Sequence, residues 1–248
     1  MSSDLPDHFA GAIAEQYDAG SPEMFWPDVL GPTVDLLAGL AGDGPVLELA
    51  IGTGRVALPL HERGLDVYGI DLSADMVAQL RAKPGGADIE VVIGDIAAAT
   101  VGPKGDFTLA YLVFNTIGNL TTQDAQVDAF RNAAAHLRPG GTFVIETGVP
   151  DLQRIAPGET DHVFHRDADH VGVDEHDVVT QRLVSHHYNR VGDHYELVSV
   201  PFRYVWPSEL DLMARIAGLR LRDRWAGWTK EPFTAESRSH VSVWERTG

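Results

Sequence analysis

The sequence predicts an α/β protein in which a mainly parallel β-sheet carries helices on both faces. Three observations predict this class. Short β-rich apolar runs alternate with helical patterns between residues 45 and 146, and a glycine-rich turn follows the first run. The length of 248 residues suits one such domain that carries an insertion.

Five strands are predicted in the alternating part, with helices between them. The strands are residues 46–50, 66–71, 89–93, 107–113 and 142–146, and the helices are 55–63, 74–83 and 123–137. Ser73 is the expected N-cap of the second helix. Pro139, Gly140 and Gly141 should stop the third helix, because proline cannot continue a helix.

The segments on either side complete the predicted order of elements. An amphipathic helix over residues 26–40 precedes the first strand, and the segment around Tyr17 is a loop or short helix that is able to act as a lid. After residue 146 we predict a loop at 150–158, strands at 162–166, 178–190 and 195–206, a helix at 207–217, and closing strands at 219–225 and 240–245.

Composition argues against several classes of function. The 19 basic and 36 acidic residues give a net charge of −17, which disfavours nucleic acid and membranes as partners. The chain contains no cysteine, so disulfides, thiolate zinc sites and cysteine nucleophiles are excluded. Because no apolar run reaches about 18 residues and no signal-peptide pattern is present, we expect a cytoplasmic protein.

A glycine-rich turn carries the most specific pattern in the sequence. Glu48 ends an apolar strand, and Ala50, Gly52 and Gly54 form a turn into the next helix. Small residues let a ligand approach the backbone, and the start of a helix offers free amide donors. The pattern is typical of a nucleotide-cofactor loop, although glycine at such a turn also has purely steric explanations.

Polar side chains follow the next three strands in turn. Asp71 ends the second strand, where a carboxylate can accept both ribose hydroxyls or simply initiate a helix. Asp95 and Ile96 follow the third strand, where they suit an adenine ring or form an ordinary turn. Asn115 ends the fourth strand at the expected sheet centre, where it lies at a reaction site or caps the next turn.

These motifs, with Leu137-Arg-Pro-Gly-Gly141 before the fifth strand, resemble the class I S-adenosylmethionine-dependent methyltransferases. Tyr17-Asp18, residues 114–120 and the β-rich insertion are most similar to small-molecule N-methyltransferases. Alanine at position 50 departs from the more usual glycine, and no clear tyrosine- and arginine-rich stretch follows Asp18. The resemblance implies a Rossmann-like seven-stranded sheet with an antiparallel last strand and a β-rich insertion after the fifth strand.

The resemblance also implies an organisation and a cofactor, S-adenosylmethionine. Residues 1–42 would form a helical lid, 43–149 the cofactor-binding core, 150–206 an insertion that shapes the acceptor site, and 207–248 the closing elements. Glu48 and the turn would hold the methionine end, Asp71 the ribose, and Asp95 with Ile96 the adenine. The expected cofactor-binding residues are Tyr17, Glu48, Ala50, Gly52, Gly54, Arg55, Asp71, Leu72, Met76, Asp95, Ile96 and Leu112.

Asn115, Tyr17, His186 and His187 are the expected catalytic residues. The two histidines are adjacent on a predicted strand, so at most one of them can face the pocket, and a surface position on an edge strand is the simpler explanation for each of them individually. We expect no metal site, because the histidines and acidic residues of the insertion match no established ligand spacing.

The predicted function is methyl transfer to a small-molecule acceptor, with an amine favoured over O- or C-methylation. An activated methyl donor needs alignment rather than a nucleophile. A nicotinamide-dependent oxidoreductase stays open, because residues 52–57 also satisfy the dinucleotide fingerprint, but Glu48 suits a cationic cofactor better than an anionic pyrophosphate. A non-catalytic cofactor-binding protein and a homodimer stay open as well.

Overall fold

The computed structural model describes residues 7–248, which form eleven strands and six α-helices. The helices are α1 (Ala12–Gly20), α2 (Pro27–Ala41), α3 (Ala57–Glu62), α4 (Ala74–Arg81), α5 (Gln123–His136) and α6 (Pro207–Ile216). The strands are β1 (Val46–Leu49), β2 (Val67–Asp71), β3 (Glu90–Ile93), β4 (Phe107–Leu112), β5 (Leu137–Gly148), β6 (Asp161–Arg166), β7 (His170–Asp177), β8 (Arg182–Val191), β9 (His194–Arg203), β10 (Leu219–Trp225) and β11 (Ser239–Arg246).

Seven strands form the main sheet, in the order β10-β11-β5-β4-β1-β2-β3. Strands β1 to β5 run parallel, and β11 is antiparallel to both β5 and β10. This arrangement confirms the predicted fold class. The strand order reverses at β1, which pairs with β2 on one side and β4 on the other, and ligands bind at such a switch point outside the carboxyl ends of the strands.

Helices cover both faces of the main sheet and bury a separate core on each. On one face α5 and α6 pack against the sheet, and Phe130 stacks edge to face on Phe143 and Trp244 at ring separations of 5.1 and 5.3 Å. On the other face α2, α3 and α4 bury Leu37 and Leu60 completely. The two cores hold the carboxyl ends of the parallel strands in fixed positions.

Most predicted elements of the core are found within a few residues of their expected ends. Ser73 is the N-cap of α4, since its hydroxyl accepts from the Met76 amide at 3.3 Å. Helix α5 ends at His136, but Pro139, Gly140 and Gly141 lie within β5. They bulge out between Leu137 and Thr142, so the strand begins five residues before the predicted start.

The insertion forms a four-stranded antiparallel sheet, β6-β7-β8-β9. The prediction of a strand over 178–190 is wrong at its start, because residues 178–181 form the turn between β7 and β8. The Asp177 carboxylate accepts from the Val179 amide and the Thr180 hydroxyl at 2.9 and 2.5 Å, and this turn chemistry overrides the β-propensity of the two valines. Strand β7 was not predicted, because its second half, Asp174 to Asp177, is rich in acidic residues, which are depleted in strands.

A buried polar cluster joins the insertion sheet to the core helices. Arg203 at the end of β9 donates to Glu209 of α6 at 2.7 Å, to Gln126 of α5 at 2.5 Å, and to Gln181 at 3.2 Å. The Gln123 amide also donates to Glu209 at 2.7 Å. Because each polar group of this joint has a partner, the cluster fixes how the insertion sits on the core.

No helix in the part of the chain that the structure describes is long and apolar enough to cross a membrane.

Candidate active site

A pocket of about 330 Å³ opens at the carboxyl ends of β1, β2 and β4, within the range of small-molecule sites. Residues from four parts of the chain line it. The N-terminal segment and α1 contribute Asp7, His8, Phe9 and Tyr17, the strand ends contribute residues from Glu48 to Ile96, and the stretch after β4 contributes residues from Val113 to Ala125. The insertion contributes Pro201.

The glycine-rich turn reaches the pocket through an unusual backbone. Ala50, Gly52 and Gly54 all have positive φ, at 57°, 55° and 81°. A Cβ atom at Gly54 would lie 2.3 Å from Leu80 Cδ1, so this glycine also permits the close packing of the turn against α4. Alanine in the left-handed region costs roughly 1–2 kcal/mol, and the surrounding fold holds Ala50 in this conformation beside the pocket.

Asp71, the last residue of β2, is hydrogen-bonded to the glycine-rich turn that follows β1. One carboxylate oxygen accepts from the Gly52 amide at 2.6 Å, and the other accepts from the Ser73 amide at 2.8 Å. Burial raises the pKa of Asp71, although the amide hydrogen bonds oppose the shift. Since each carboxylate oxygen has a second lone pair, the side chain can also accept from hydroxyl groups of a ligand.

Glu48 is almost fully buried at the pocket floor, with 3% of its surface exposed. The Tyr111 hydroxyl donates to its carboxylate at 2.7 Å. Burial raises the pKa of Glu48 to about 8, against the opposing effects of the Tyr111 hydrogen bond and the Arg55 charge. Among the described residues no cation forms an ion pair with Glu48 or Asp71, so a cationic group of a ligand would lower the pKa of both side chains and find carboxylate partners at the floor of the pocket.

Helix α1 covers the pocket from the N-terminal side. Burial raises the pKa of Tyr17, while the Arg55 charge lowers it, and the Tyr17 ring packs edge to face on Phe9 at 6.1 Å. The Gly11 amide donates to the Asp75 carboxylate at 2.7 Å, which ties the chain before α1 to α4. Residues 7–20 of the predicted lid therefore lie beside the pocket and the glycine-rich turn, and residues 1–6 of that prediction lie outside the described residues.

The turn after β4 holds two consecutive residues in the left-handed region. Phe114 has φ 59° and Asn115 has φ 58°, which is rare for an aromatic residue. The Glu146 carboxylate holds the turn by accepting from the Phe114 amide at 3.0 Å and from Trp228 Nε1 at 2.9 Å. Phe114 thereby lines the pocket, where the Arg55 guanidinium lies 5.3 Å from its ring centre.

The structure brings ten of the twelve predicted cofactor-binding residues into the pocket lining. The two exceptions pack elsewhere, since Gly54 faces Leu80 and Leu112 lies fully buried in the core. Asp95 and Ile96 line the pocket at the end of β3, where the Asp95 carboxylate accepts from the Ala97 amide at 2.8 Å.

Three of the four predicted catalytic residues lie outside the pocket lining. The Asn115 side chain accepts from the Gly148 amide at 2.5 Å and so closes the end of β5. His187 stacks on His170 at 5.2 Å, and His186 bonds to Ser199 at 2.8 Å, so both interact within the insertion sheet. Only Tyr17 of this set reaches the pocket.

Several lining residues were not predicted. Asn115 was expected in the pocket. The turn after β4 instead directs the side chain of its neighbour Phe114 into the pocket and that of Asn115 to the Gly148 amide. Phe9 and Pro201 come from distant parts of the chain, and neither has a sequence signal of its own. Within residues 7–248 no three histidine, aspartate or glutamate side chains form a group that could hold a metal ion.

Comparison with known proteins assigns this pocket to a family. A family model described as a methyltransferase domain matches residues 46–141, which contain all the strand ends that line the pocket. The structure of the CcbJ methyltransferase from Streptomyces caelestis has a TM-score of 0.81 and is 37% identical, with 95% of this chain and 96% of that chain covered. The chain belongs to the S-adenosylmethionine-dependent methyltransferases. Its cofactor is therefore S-adenosylmethionine, and the oxidoreductase and non-catalytic alternatives are set aside.

Two other relatives are methyltransferases by name, and one of them is an N,N-dimethyltransferase. This chain is 28% identical to the cypemycin N-terminal methyltransferase of a Streptomyces species, over 97% of this chain and 98% of the relative. It is 31% identical to dTDP-3-amino-3,6-dideoxy-alpha-D-glucopyranose N,N-dimethyltransferase of Streptomyces fradiae, over 56% of this chain and 54% of the relative.

Proposed function

We propose that this methyltransferase transfers the methyl group to the nitrogen of a small-molecule amine. One observation supports this proposal above others. The part of the pocket lining formed by the residues after β4 and by Pro201, which we call the acceptor wall, contains no ionisable side chain among the described residues. The acceptor wall consists of Val113, Phe114, Thr116, Asn119, Leu120, Thr121, Thr122, Ala125 and Pro201.

The ionisable lining residues lie elsewhere in the pocket. Glu48, Asp71 and Asp95 stand at the ends of β1, β2 and β3, and Asp7 and His8 enter on the side of Asp71. This leaves Tyr17 and Arg55 to face an acceptor. Arginine stays protonated in proteins, and burial raises the pKa of Tyr17, so neither side chain serves as a base at neutral pH.

A neutral amine fits such a wall because it brings its own lone pair. A hydroxyl or carbon acceptor would need a base to remove its proton during the reaction. The bound cofactor supplies a methyl group on a sulfonium centre. The chain then needs only to align the two reactants and to exclude water, to which the rings of Tyr17 and Phe114 in the pocket lining would contribute.

We assign the cofactor contacts by the same geometry. Asp71 would accept the ribose hydroxyls, Asp95 and Ile96 would hold the adenine, and Glu48 with the Gly52 turn would face the cationic methionine end. The net charge of −17 adds a field that favours a cationic cofactor and amines. The names of the N,N-dimethyltransferase of Streptomyces fradiae and of the cypemycin N-terminal methyltransferase support the same acceptor chemistry.

The test is a screen of methyl-labelled S-adenosylmethionine against matched amines, phenols and carboxylates. We expect label on amines, with a rate that rises with pH until the acceptor amine is neutral. His8→Ala, His186→Ala and His187→Ala should each retain turnover within about threefold. A loss of about a hundredfold in one folded variant, the scale of general acid–base catalysis, or label on phenols alone would contradict N-methylation.

A further inference from the structure

Asp18 of α1 joins three separate elements of the methyltransferase. The Thr53 hydroxyl donates to one of its carboxylate oxygens at 2.6 Å, and the Lys83 ammonium lies 2.5 Å from the other. Lys83 also donates to the Thr53 carbonyl at 2.7 Å, which closes the cluster into a triangle. We call these three residues the latch. It links the helix over the pocket, the cofactor turn and the end of α4.

The latch is built more firmly than an exposed ion pair. Thr53 is 3% exposed, and the Lys83 side chain is 28% exposed and lies 5.7 Å from the Phe25 ring centre. The pair between Arg63 and Asp35, by contrast, has side chains that are 44% and 70% exposed. Charge-assisted hydrogen bonds with partial burial are among the stronger side-chain interactions, whereas exposed pairs contribute little.

The position of the latch connects it to the cofactor. Thr53 lies between Gly52 and Gly54, and the Gly52 amide is held by Asp71. Tyr17, the residue before Asp18, lines the pocket, whereas neither Asp18 nor Lys83 does. Any motion of α1 away from the pocket must therefore break bonds to the cofactor turn itself.

We propose that Asp18 and Lys83 are positioning residues that hold α1 closed over bound S-adenosylmethionine and so set how fast the cofactor site releases its ligand. They act through Thr53 and Tyr17 rather than by touching the ligand. The inference depends on the cofactor, which family membership establishes, and not on the acceptor being an amine. Its failure is thus distinguishable from failure of the proposed N-methylation.

The experiment measures dissociation and association rates of S-adenosylhomocysteine by stopped-flow on the full chain. Lys83→Met removes the charge but keeps an apolar stem against Phe25, and we expect dissociation to accelerate about tenfold with association changed less than threefold. Lys83→Arg should restore most of the slow release. The double variant Asp18→Asn/Lys83→Met should release no faster than the faster single variant, because both changes open the same contact.

Arg63→Met is the matched control, since it removes an exposed ion pair that is remote from the pocket lining, and its release rate should stay within twofold of wild type. A purely structural role predicts a lower melting temperature with unchanged release, and this result would overturn the proposal. If Lys83→Met does not fold, Thr53→Val removes one bond of the triangle with little change of volume. Release at least threefold faster then supports the latch, and release at the wild-type rate refutes it.

Discussion

The chain contains two β-sheets that are stabilised in different ways and make different contributions to the pocket. Every residue of β1 and β4 in the main sheet is buried, and the ends of β1, β2 and β3 carry the three acidic side chains of the cofactor region. In the insertion sheet Val163, Tyr195 and Leu197 are about half exposed, and only Pro201 reaches the pocket.

The difference shows how this methyltransferase separates binding chemistry from shape. Charged groups that bind a cofactor need fixed positions and low solvent access, which the two cores around the main sheet provide. The insertion contributes only the uncharged Pro201 to the proposed acceptor wall, so its sheet needs little core of its own to shape that space. The insertion then depends on the Arg203 cluster for its position on the core.

The largest expected effect is on stability, when the Arg203 cluster that joins the insertion sheet to the core helices is broken. Arg203→Met leaves the carboxylate of Glu209 buried without its cation, so we expect the free energy of unfolding to fall by about 3–5 kcal/mol in urea titrations. Affinity for S-adenosylhomocysteine should stay within twofold, while the KM for the acceptor rises. Adding Glu209→Gln should recover about half of the lost stability, because no buried charge then remains unpaired. If Arg203→Met loses affinity for S-adenosylhomocysteine instead, cofactor binding depends on the insertion, and the separation of the two regions is wrong.

The second expected effect is a pH dependence of the free energy of unfolding, which arises from Glu48 in the main sheet. Glu48 has a pKa raised from the ordinary value of 4.5 to about 8, so the folded chain keeps a proton that the unfolded chain loses above pH 4.5. The stabilisation that the proton on Glu48 provides is fully present below pH 4.5 and is lost as pH rises through 8. The free energy of unfolding should therefore fall by about 2–3 kcal/mol between pH 6 and pH 9. Unfolding free energies of wild type and Glu48→Gln at these two pH values measure the difference. An equally steep decline in Glu48→Gln would place the titrating group elsewhere.

The smallest expected effect compares two pocket residues with one insertion residue. Asp71→Ala should weaken S-adenosylhomocysteine binding by about 1–3 kcal/mol, since ligand hydroxyls and the Gly52 amide lose their acceptor. Asp95→Ala should lose less, because ring packing on Ile96 remains. His187→Ala in the insertion should bind as tightly as wild type in the same calorimetric titration. If Asp71→Ala folds and binds equally well, the ribose assignment fails.

Much of the core was predictable because its signals are local. The apolar run of β1, the small residues from Ala50 to Gly54 and the acidic residues at the ends of β2 and β3 recur in chain order, and parallel strands bring their carboxyl ends to one edge. The insertion was harder to predict, because its histidines and acidic residues suit an exposed strand and a turn equally well. Asp177 decided the turn through a side-chain hydrogen bond that propensity does not report.

The sequence by itself determined the fold class, the glycine-rich turn and ten of the residues that line the pocket, because periodicity and small-residue spacing are properties of neighbouring positions. Only the tertiary structure decided which side chains after β4 line the pocket. The Glu146 carboxylate holds Phe114 and Asn115 in left-handed conformations, which directs the phenylalanine to the pocket and the asparagine to the end of β5. Asp18 meets Thr53 and Lys83 only after α1 has folded over the sheet. Such contacts join residues about 30 or more positions apart, and no local pattern specifies them.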